Sequence, residues 1–479
     1  MIKKILLIMP PLRFETPPYF TYSLPILAAS LEKEGFEVEI LDLELHKTII
    51  NKRGLTRLIC SKKFDIMGIS GLITSYTTVQ MLMDITRKQF PKKKIILGGG
   101  LASSVPEHSL KVMKADYVVY GEGVISTPNL IHALNNNKKL KNVKGICYMS
   151  KGKMIKTEPQ PLVRNLDDLP RPAYHLMDMK KYINHYDKLS GFRKNMRIMT
   201  GVGCIGQCTY CFRICGKGSY RLYSIPRVIK EMKYFIKKYN IKHFNFIDEE
   251  FLVAKSRVIE LCKQMRKHKI NVTWKCCSRV DSINPEIVKT IKKAGCVIVG
   301  LGIESGSQKI LDNMKKNVKV EQTKKALRIL RKYNMPHGGT MMYGMVGENK
   351  ETVKETIRFC REMEHDVEFF WTTPYPGTEI YNDLVKQGKI KDEKEFFEKL
   401  SDAYQFLINL TEFKTDEEAI YWKKYLQRKI KIPLYKKLYI RVRDKGLWNL
   451  DFQIYDFMKR RLFPEKYFES KYTTKKRAF

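Results

Sequence analysis

The chain has 479 residues, of which 43% are hydrophobic and 11% aromatic. Sizeable cores are therefore affordable, global disorder is excluded, and two to three domains are expected because single cores seldom pass ~250–300 residues. Lys+Arg number 89 against 50 Asp+Glu, and the resulting +39 suits either an anionic partner or a Lys-rich background while saying nothing about fold.

The first residues, MIKKILLIMPP, hold a short apolar run that Pro10 and Pro11 break. That is too short for a secretory signal, and no stretch approaches the ~18–20 apolar residues of a membrane span. Eleven cysteines, an odd count, argue against a disulfide framework and for a reducing cytoplasm. Cys60, Cys147, Cys262 and Cys296 lie in apolar patterns, where a buried thiol is expected.

Residues 1–135 alternate strand and helix signals. KKILLIMPP, FEVEILDL, FDIMGISGL, KKIILGGG and DYVVYGEG read as strands; LPILAASLEKEGF and VQMLMDITRKQF read as amphipathic helices. Apolar strands separated by helices predict a doubly wound parallel sheet of Rossmann-like type, with ligands at the carboxyl ends of its strands. Those ends are small and polar: Ser70-Gly71, Gly98-Gly99-Gly100 and Gly121-Glu122-Gly123. Residues 136–190 read as a connector with a hairpin around Lys151-Gly152-Lys153.

A second α/β series fills residues 191–385. MRIMTGVGC, HFNFIDEEF, VTWKCCSRV, CVIVGLGIE, GGTMMYGMVGE and FFWTTPYPGT are strand-plus-loop units, mostly separated by helices. This predicts an incomplete (βα)6 barrel of TIM type, with its chemistry at the carboxyl ends of the strands. Residues 386–479 read as a charged helical region.

The strongest signal is Cys204-Ile-Gly-Gln-Cys208-Thr-Tyr-Cys211, just after the first barrel strand. Three thiolates at this spacing can hold three irons of a cubane cluster and leave the fourth open. Gly201, Gly203 and Gly206 let the loop fold tightly. Zinc would need a fourth ligand; Cys215 could serve, but the run lacks paired-knuckle spacing.

At these residues the chain resembles the radical S-adenosylmethionine enzymes, whose signature is C-x3-C-x2-C with an aromatic, here Tyr210, before the last cysteine. The resemblance runs over about 195–385 and implies a [4Fe–4S] cluster and S-adenosylmethionine. It gives Asp248 and Glu249 of FIDEEF to the methionine ammonium, and Arg279, after Ser278, to its carboxylate. Glu304 and Ser305 of GIESGS fall to ribose and methionine, Gly344 to Glu348 to adenine, and Tyr375 to Thr378 close the sixth strand. Blander readings are a helix N-terminal acid pair for Asp248 and Glu249, and a structural ion-pair partner for Glu304. The chemistry implied is reductive cleavage of S-adenosylmethionine to a 5′-deoxyadenosyl radical that takes hydrogen from an unreactive C–H bond.

With such a barrel behind it, the first domain resembles the cobalamin-binding domain of cobalamin-dependent radical enzymes. Ser70, Leu72 and Thr74 match the segment that cradles the nucleotide tail. Gly98, Gly99 and Gly100 match the glycines beneath it, Gly121 and Glu122 a further loop, and residues 10–32 the lead-in to the first helix. The Asp-x-His-x-x-Gly motif of mutases is absent: Asp42 and His46 have the wrong context, and Leu101 stands where relatives often carry histidine. Cobalamin without a histidine ligand to cobalt is expected; the alternative is a nucleotide-binding or vestigial α/β domain.

Together the resemblances imply a C-methylase in which cobalt-bound methyl quenches the substrate radical. A cyclase or rearrangement enzyme without methyl transfer, and a non-catalytic iron–sulfur or cobalamin sensor, are the alternatives. Methylthiolation of tRNA lacks support because the first domain has no cluster-binding cysteine trio. The partners expected are a small-molecule or lipid substrate and an electron donor such as flavodoxin or ferredoxin. Residues 421–479 hold 18 Lys+Arg, 5 Asp+Glu and 14 aromatics. There Trp448, Phe452, Tyr455, Met458 and Leu462 recur at helical spacing. Such a segment either packs on the barrel or lies on anionic lipid at the inner membrane face. Nucleic acid is not expected, since no RNA-binding module motif is present.

Overall fold

The computed structural model describes residues 1–436 apart from 13–17, 191, 193, 217, 365–366, 401–404, 432 and 434–435. Its first sheet is built around the buried run β1 (Lys4–Met9), which pairs in parallel with β2 (Glu37–Asp42) and β3 (Ile66–Ser70). β4 (Lys94–Gly98) and β5 (Tyr117–Val119) continue it, giving the order β2-β1-β3-β4-β5. The chain leaves β1 to one side and returns as β3 on the other, so a crevice opens at their carboxyl ends, the place where doubly wound sheets bind ligands. The hairpin β6 (Ile146–Ser150) and β7 (Lys153–Lys156) joins β5 antiparallel. Lys151 and Gly152 both take positive φ (47° and 76°), as a two-residue hairpin turn requires. Part of the expected connector thus completes the first sheet.

The second sheet contains β8 (Asn195–Ile198), β11 (His243–Phe246), β12 (Thr273–Arg279), β13 (Cys296–Glu304), β14 (His337–Tyr343) and β15 (Glu368–Trp371), all parallel and in that order. All six expected barrel strands form, curled into a half-barrel. A short ribbon, β9 (Gly201–Gly203) with β10 (Tyr220–Leu222), flanks the cysteine loop and was not legible in the sequence.

The helix Ile225–Tyr239 shows how the outer layer is specified. Ser224 caps it by accepting from the Arg227 N–H, Pro226 sits in its first turn, and Asn240 ends it in the left-handed region (φ 55°). Its apolar stripe of Val228, Ile229, Met232 and Phe235 is buried on the barrel's outer face, each side chain contributing roughly 1.5–3 kcal/mol. Strand β12 alternates accordingly: Trp274 and Cys276 enter that outer core, while Lys275, Cys277 and Arg279 line the inner face. Of the cysteines expected to be buried, Cys147, Cys262 and Cys296 are; Cys60 is exposed, because it ends a helix on its solvent side.

No helix among the described residues is long and apolar enough to cross a membrane. The start of the basic aromatic tail packs on the barrel. In the helix Asp416–Lys429, Ala419 and Leu426 are buried, Trp422 stacks on Phe413, and the Lys423 ammonium sits 4.3 Å from the Trp371 ring centre. Trp448, Phe452, Tyr455, Met458 and Leu462 lie outside the described residues.

Candidate active site

The cysteine loop is held by backbone bonds to two segments beyond the carboxyl ends of β13 and β15, and by a side-chain bond within the loop. Thr209 donates to the Met314 carbonyl (3.0 Å) and accepts from the Glu379 N–H (3.1 Å), and Arg213 donates to the Cys204 carbonyl (2.7 Å). Gly206 lies between two sulfurs: a Cβ there would sit 3.5 Å from Cys204 Sγ and 3.7 Å from Cys208 Sγ. Any side chain at 206 would crowd a group bound by both. Arg213 places a cation beside Cys204 and Cys211; burial holds the Cys211 thiol above its ordinary value, and the Arg213 charge opposes that. The donor set fits a cluster, which asks for one thiolate on each of three irons. Gly203 allows this loop to close, since it adopts φ 93° and a Cβ would meet Ser219 O at 2.0 Å. Gly203→Ala is expected to destabilise by at least ~1–3 kcal/mol and to lower iron loading, measured by iron analysis after anaerobic reconstitution. Parental iron content would contradict this.

Cys215, the candidate fourth ligand, is elsewhere. Its thiol points at the Glu122 carboxylate (3.5 Å), and burial with that negative charge pushes it up to about 12. It stays protonated and belongs to a structural contact.

The acidic segment divides differently from expectation. Asp248 is buried and accepts from Thr200 N–H (2.7 Å) and Thr200 Oγ1 (2.5 Å), tying the ends of β8 and β11 together. Glu250, which the motif reading passed over, is buried beneath β12 and accepts from Ser278 Oγ (2.7 Å) and the Arg279 N–H (3.0 Å). Glu249 alone is exposed, and its charge raises the pKa of Cys211 and Cys215, secondary to burial. Of the acid pair, Glu249 is the one free to meet an ammonium.

Arg279 spends most of its guanidinium on Asp281 (Nη2, 2.9 Å) and the Lys316 carbonyl (2.8 Å). Its Nη1 faces the cysteine loop, 3.3 Å from where a Gly206 Cβ would be. Glu304 takes the left-handed region (φ 67°), a strained state for a non-glycine residue, and its carboxylate pairs with the buried Lys316 ammonium (2.8 Å). Lys316 had no sequence signal, being twelve residues away on a separate turn. Ser305 departs from expectation: its hydroxyl accepts from the Ser307 N–H (3.1 Å) and lies 3.5 Å from Thr356 Oγ1, buried against a helix and away from the inner face.

Gly344 (φ 86°) turns the chain against the Trp371 ring, and Glu348 closes that loop. The Glu348 carboxylate is buried and accepts from the N–H groups of Gly344 (2.6 Å) and Met345 (3.2 Å), and burial raises its pKa from 4.5 to about 7. The folded protein therefore holds a proton that the unfolded chain releases between those values. This contribution is fully present below pH 4.5 and is lost as pH rises through about 7. Glu348→Gln is expected to remove roughly 3 kcal/mol of that decline, seen as a flatter melting temperature between about pH 5 and about pH 8. An unchanged slope would contradict the assignment.

On the first sheet, the carboxyl edge is open where cobalamin was expected. Gly98 is half-exposed, with only backbone atoms near its Cβ position, and Leu72 is 41% exposed. Gly99 (φ 80°) packs on Gly71 and Ser70, and Thr74 Oγ1 reaches the Leu12 carbonyl at 3.5 Å. Gly121 (φ 73°) donates its N–H to Ser103 Oγ at 3.1 Å. Glu122 departs from expectation: it pairs with Arg221 of β10 and accepts from the Val163 N–H (3.0 Å), tying the end of the first sheet to the β9–β10 ribbon and the connector. Phe212, one residue past the last cysteine and unnoticed in the motif, packs between Gly100 and Gly377. The glycine edge and the cysteine loop therefore meet. Leu72, Ile205, Ile214 and Val346, all within these loops, are exposed large apolar residues. That is surface a corrin or an adenosyl group would cover.

Comparison with known proteins agrees with this layout. The Radical SAM superfamily model matches residues 198–360, and the B12 binding domain model matches residues 17–131. An uncharacterized methyltransferase of Pyrococcus horikoshii is 30% identical over 393 residues, 79% of this chain and 83% of that protein. The chain belongs to the cobalamin-dependent radical S-adenosylmethionine enzymes. An anaerobic magnesium-protoporphyrin IX monomethyl ester cyclase of Rubrivivax gelatinosus is 24% identical over 382 residues, 77% of this chain and 67% of that protein. TsrM, a radical S-adenosylmethionine methyltransferase from Kitasatospora setae solved with cobalamin and a [4Fe–4S] cluster bound, shares the fold. Its TM-score is 0.67 at 19% identity, over 81% of this chain and 75% of that one. Membership in the cobalamin-dependent radical family implies all three cofactors: the cluster and S-adenosylmethionine at the barrel, cobalamin at the first sheet.

Proposed function

We propose that this enzyme methylates an unactivated carbon of a small-molecule substrate held on the inner face of the half-barrel. The observation that carries the reading is the meeting of the two carboxyl edges, with Phe212 of the cysteine loop packed on Gly100 of the first sheet. A methyl donor on one edge and a radical generator on the other would both reach one substrate carbon.

Cys204, Cys208 and Cys211 would hold the cluster, with Glu249, Arg279 Nη1 and Gly344 around S-adenosylmethionine. Ser70, Leu72, Thr74 and Gly98 to Gly100 would hold cobalamin. When bound, these groups supply a carbon radical and a transferable methyl. The chain's own work is positional: Lys316 fixes Glu304, Asp281 fixes Arg279, and Asp248 fixes the end of β8. Leu72, Ile205 and Val346 would exclude water once covered. A flavodoxin- or ferredoxin-type donor would reduce the cluster.

Cyclisation without methyl transfer is the second reading, favoured by the relative named as a cyclase. A sensor role is separated from both by turnover. The anaerobically reconstituted protein, given reductant and S-adenosylmethionine, is expected to form 5′-deoxyadenosine; none forming on an intact cluster overturns the enzyme reading. Comparing metabolites of a gene deletion with its parent would then show a lost 14-mass-unit increment for methylation and none for cyclisation. Lipid contact through 421–479 stays a proposal, tested by liposome flotation with and without the tail, where equal recovery counts against it.

A further inference from the structure

The lower inner face of the half-barrel carries two cations that have no acid partner among the described residues. Register places Arg197 of β8, Asn245 of β11 and Lys275 of β12 level with one another on adjacent strands. Among the described residues, neither the Arg197 guanidinium nor the Lys275 ammonium has a hydrogen-bond or ion-pair partner, and Arg197 Nε is buried without one. Arg197 is instead steadied by the Tyr19 ring, 4.9 Å from its guanidinium carbon. Burial first, and then the neighbouring Arg197 charge, hold the Lys275 pKa below the ordinary lysine value.

Below this layer the barrel is closed by Phe192 stacked on His243, which bonds Thr273. Above it there is room: Cys277 is exposed, and a Cβ on Gly338, level with Gly300 and Cys277, would meet nothing within 4 Å. Elsewhere buried cations sit against carboxylates, as Lys316 on Glu304 and Arg221 on Glu122 show. Leaving two unpaired costs stability, so a ligand that neutralises them is the physical reason to keep them.

We propose that Arg197, Lys275 and Asn245 bind a phosphate-type group of the substrate. Two fixed positive charges match a phosphate monoester or phosphonate, near −2 at neutral pH, better than a carboxylate, which would leave one unneutralised. Arg279 lies four residues further along β12, about 13 Å higher, so the substrate is an extended molecule with its acid end at the floor and its reacting carbon near the cysteine loop. The inference rests on the radical reading for that last step but not for the anion site itself.

The test is equilibrium dialysis of labelled orthophosphate against the full-length, cofactor-reconstituted protein, with 5′-deoxyadenosine formation measured on the same preparation. Saturable binding is expected, weakened about 10- to 100-fold in Arg197→Leu and in Lys275→Met and largely kept in Lys275→Arg. Melting temperatures of the neutral variants should equal or exceed the parent's, which separates lost binding from lost folding. Absence of saturable binding, equal binding in the neutral variants, or displacement by acetate as effective as by phosphate overturns the proposal. The two readings fail separately: 5′-deoxyadenosine without orthophosphate binding overturns the anion site alone, and binding without 5′-deoxyadenosine overturns the radical reading alone.

Discussion

Replacing Cys204, Cys208 or Cys211 by alanine is expected to bring S-adenosylmethionine cleavage to background, while Cys215→Ala keeps the parent's iron and sulfide. Each of the three leaves one iron without its thiolate. Cys215 differs because its thiol is committed to Glu122 and its pKa is pushed up to about 12, far from the thiolate a metal needs. Iron and sulfide analysis checks both halves. Loss of the cluster in Cys215→Ala would make it a ligand, and retention in Cys208→Ala would remove that residue from the set.

The second large effect lies in the contact between the first sheet and the β9–β10 ribbon. Glu122 and Arg221 have side chains only 15% and 11% exposed, and both guanidinium Nη atoms reach the carboxylate. Glu122→Ala would strand the guanidinium, whose Nε is already buried without a partner, at a cost of about 3–5 kcal/mol. The double variant Glu122→Leu with Arg221→Leu should recover much of that loss, since neither charge is then left buried alone. Denaturant midpoints of the four proteins in the cycle measure the coupling, and additive single effects would show that the pair does not join the first sheet to the ribbon.

Much of the fold was legible because parallel α/β units advertise themselves. The runs KILLIM and IMGIS are apolar segments ended by proline in the first case and by Ser-Gly in the second, and with the six barrel strands they build both sheets. The cysteine loop was legible because its chemistry fixes a local spacing. What the motifs did not reveal is which of two adjacent polar residues turns inward. Asp248, Glu249 and Glu250 are consecutive, and a short turn after β11 buries the first and third and exposes the second. Glu122 looked like a member of a glycine-rich cofactor loop, yet its partner Arg221 is 99 residues away and no local pattern links them. Lys275 and Arg197 escaped notice for the same reason, as it is the strand register that brings them level. The charge of +39 also reads differently: two of its members, Arg197 and Lys275, sit inside the barrel with no acid partner among the described residues.

The most direct measurement is a single anaerobic turnover assay on the reconstituted protein, following 5′-deoxyadenosine together with protein-bound methylcobalamin. The two facing edges predict that 5′-deoxyadenosine forms and that the protein retains cobalamin at close to one per chain. Cleavage of S-adenosylmethionine by protein that retains no cobalamin would contradict the two-cofactor site, and an intact cluster that yields no 5′-deoxyadenosine would contradict the enzyme itself.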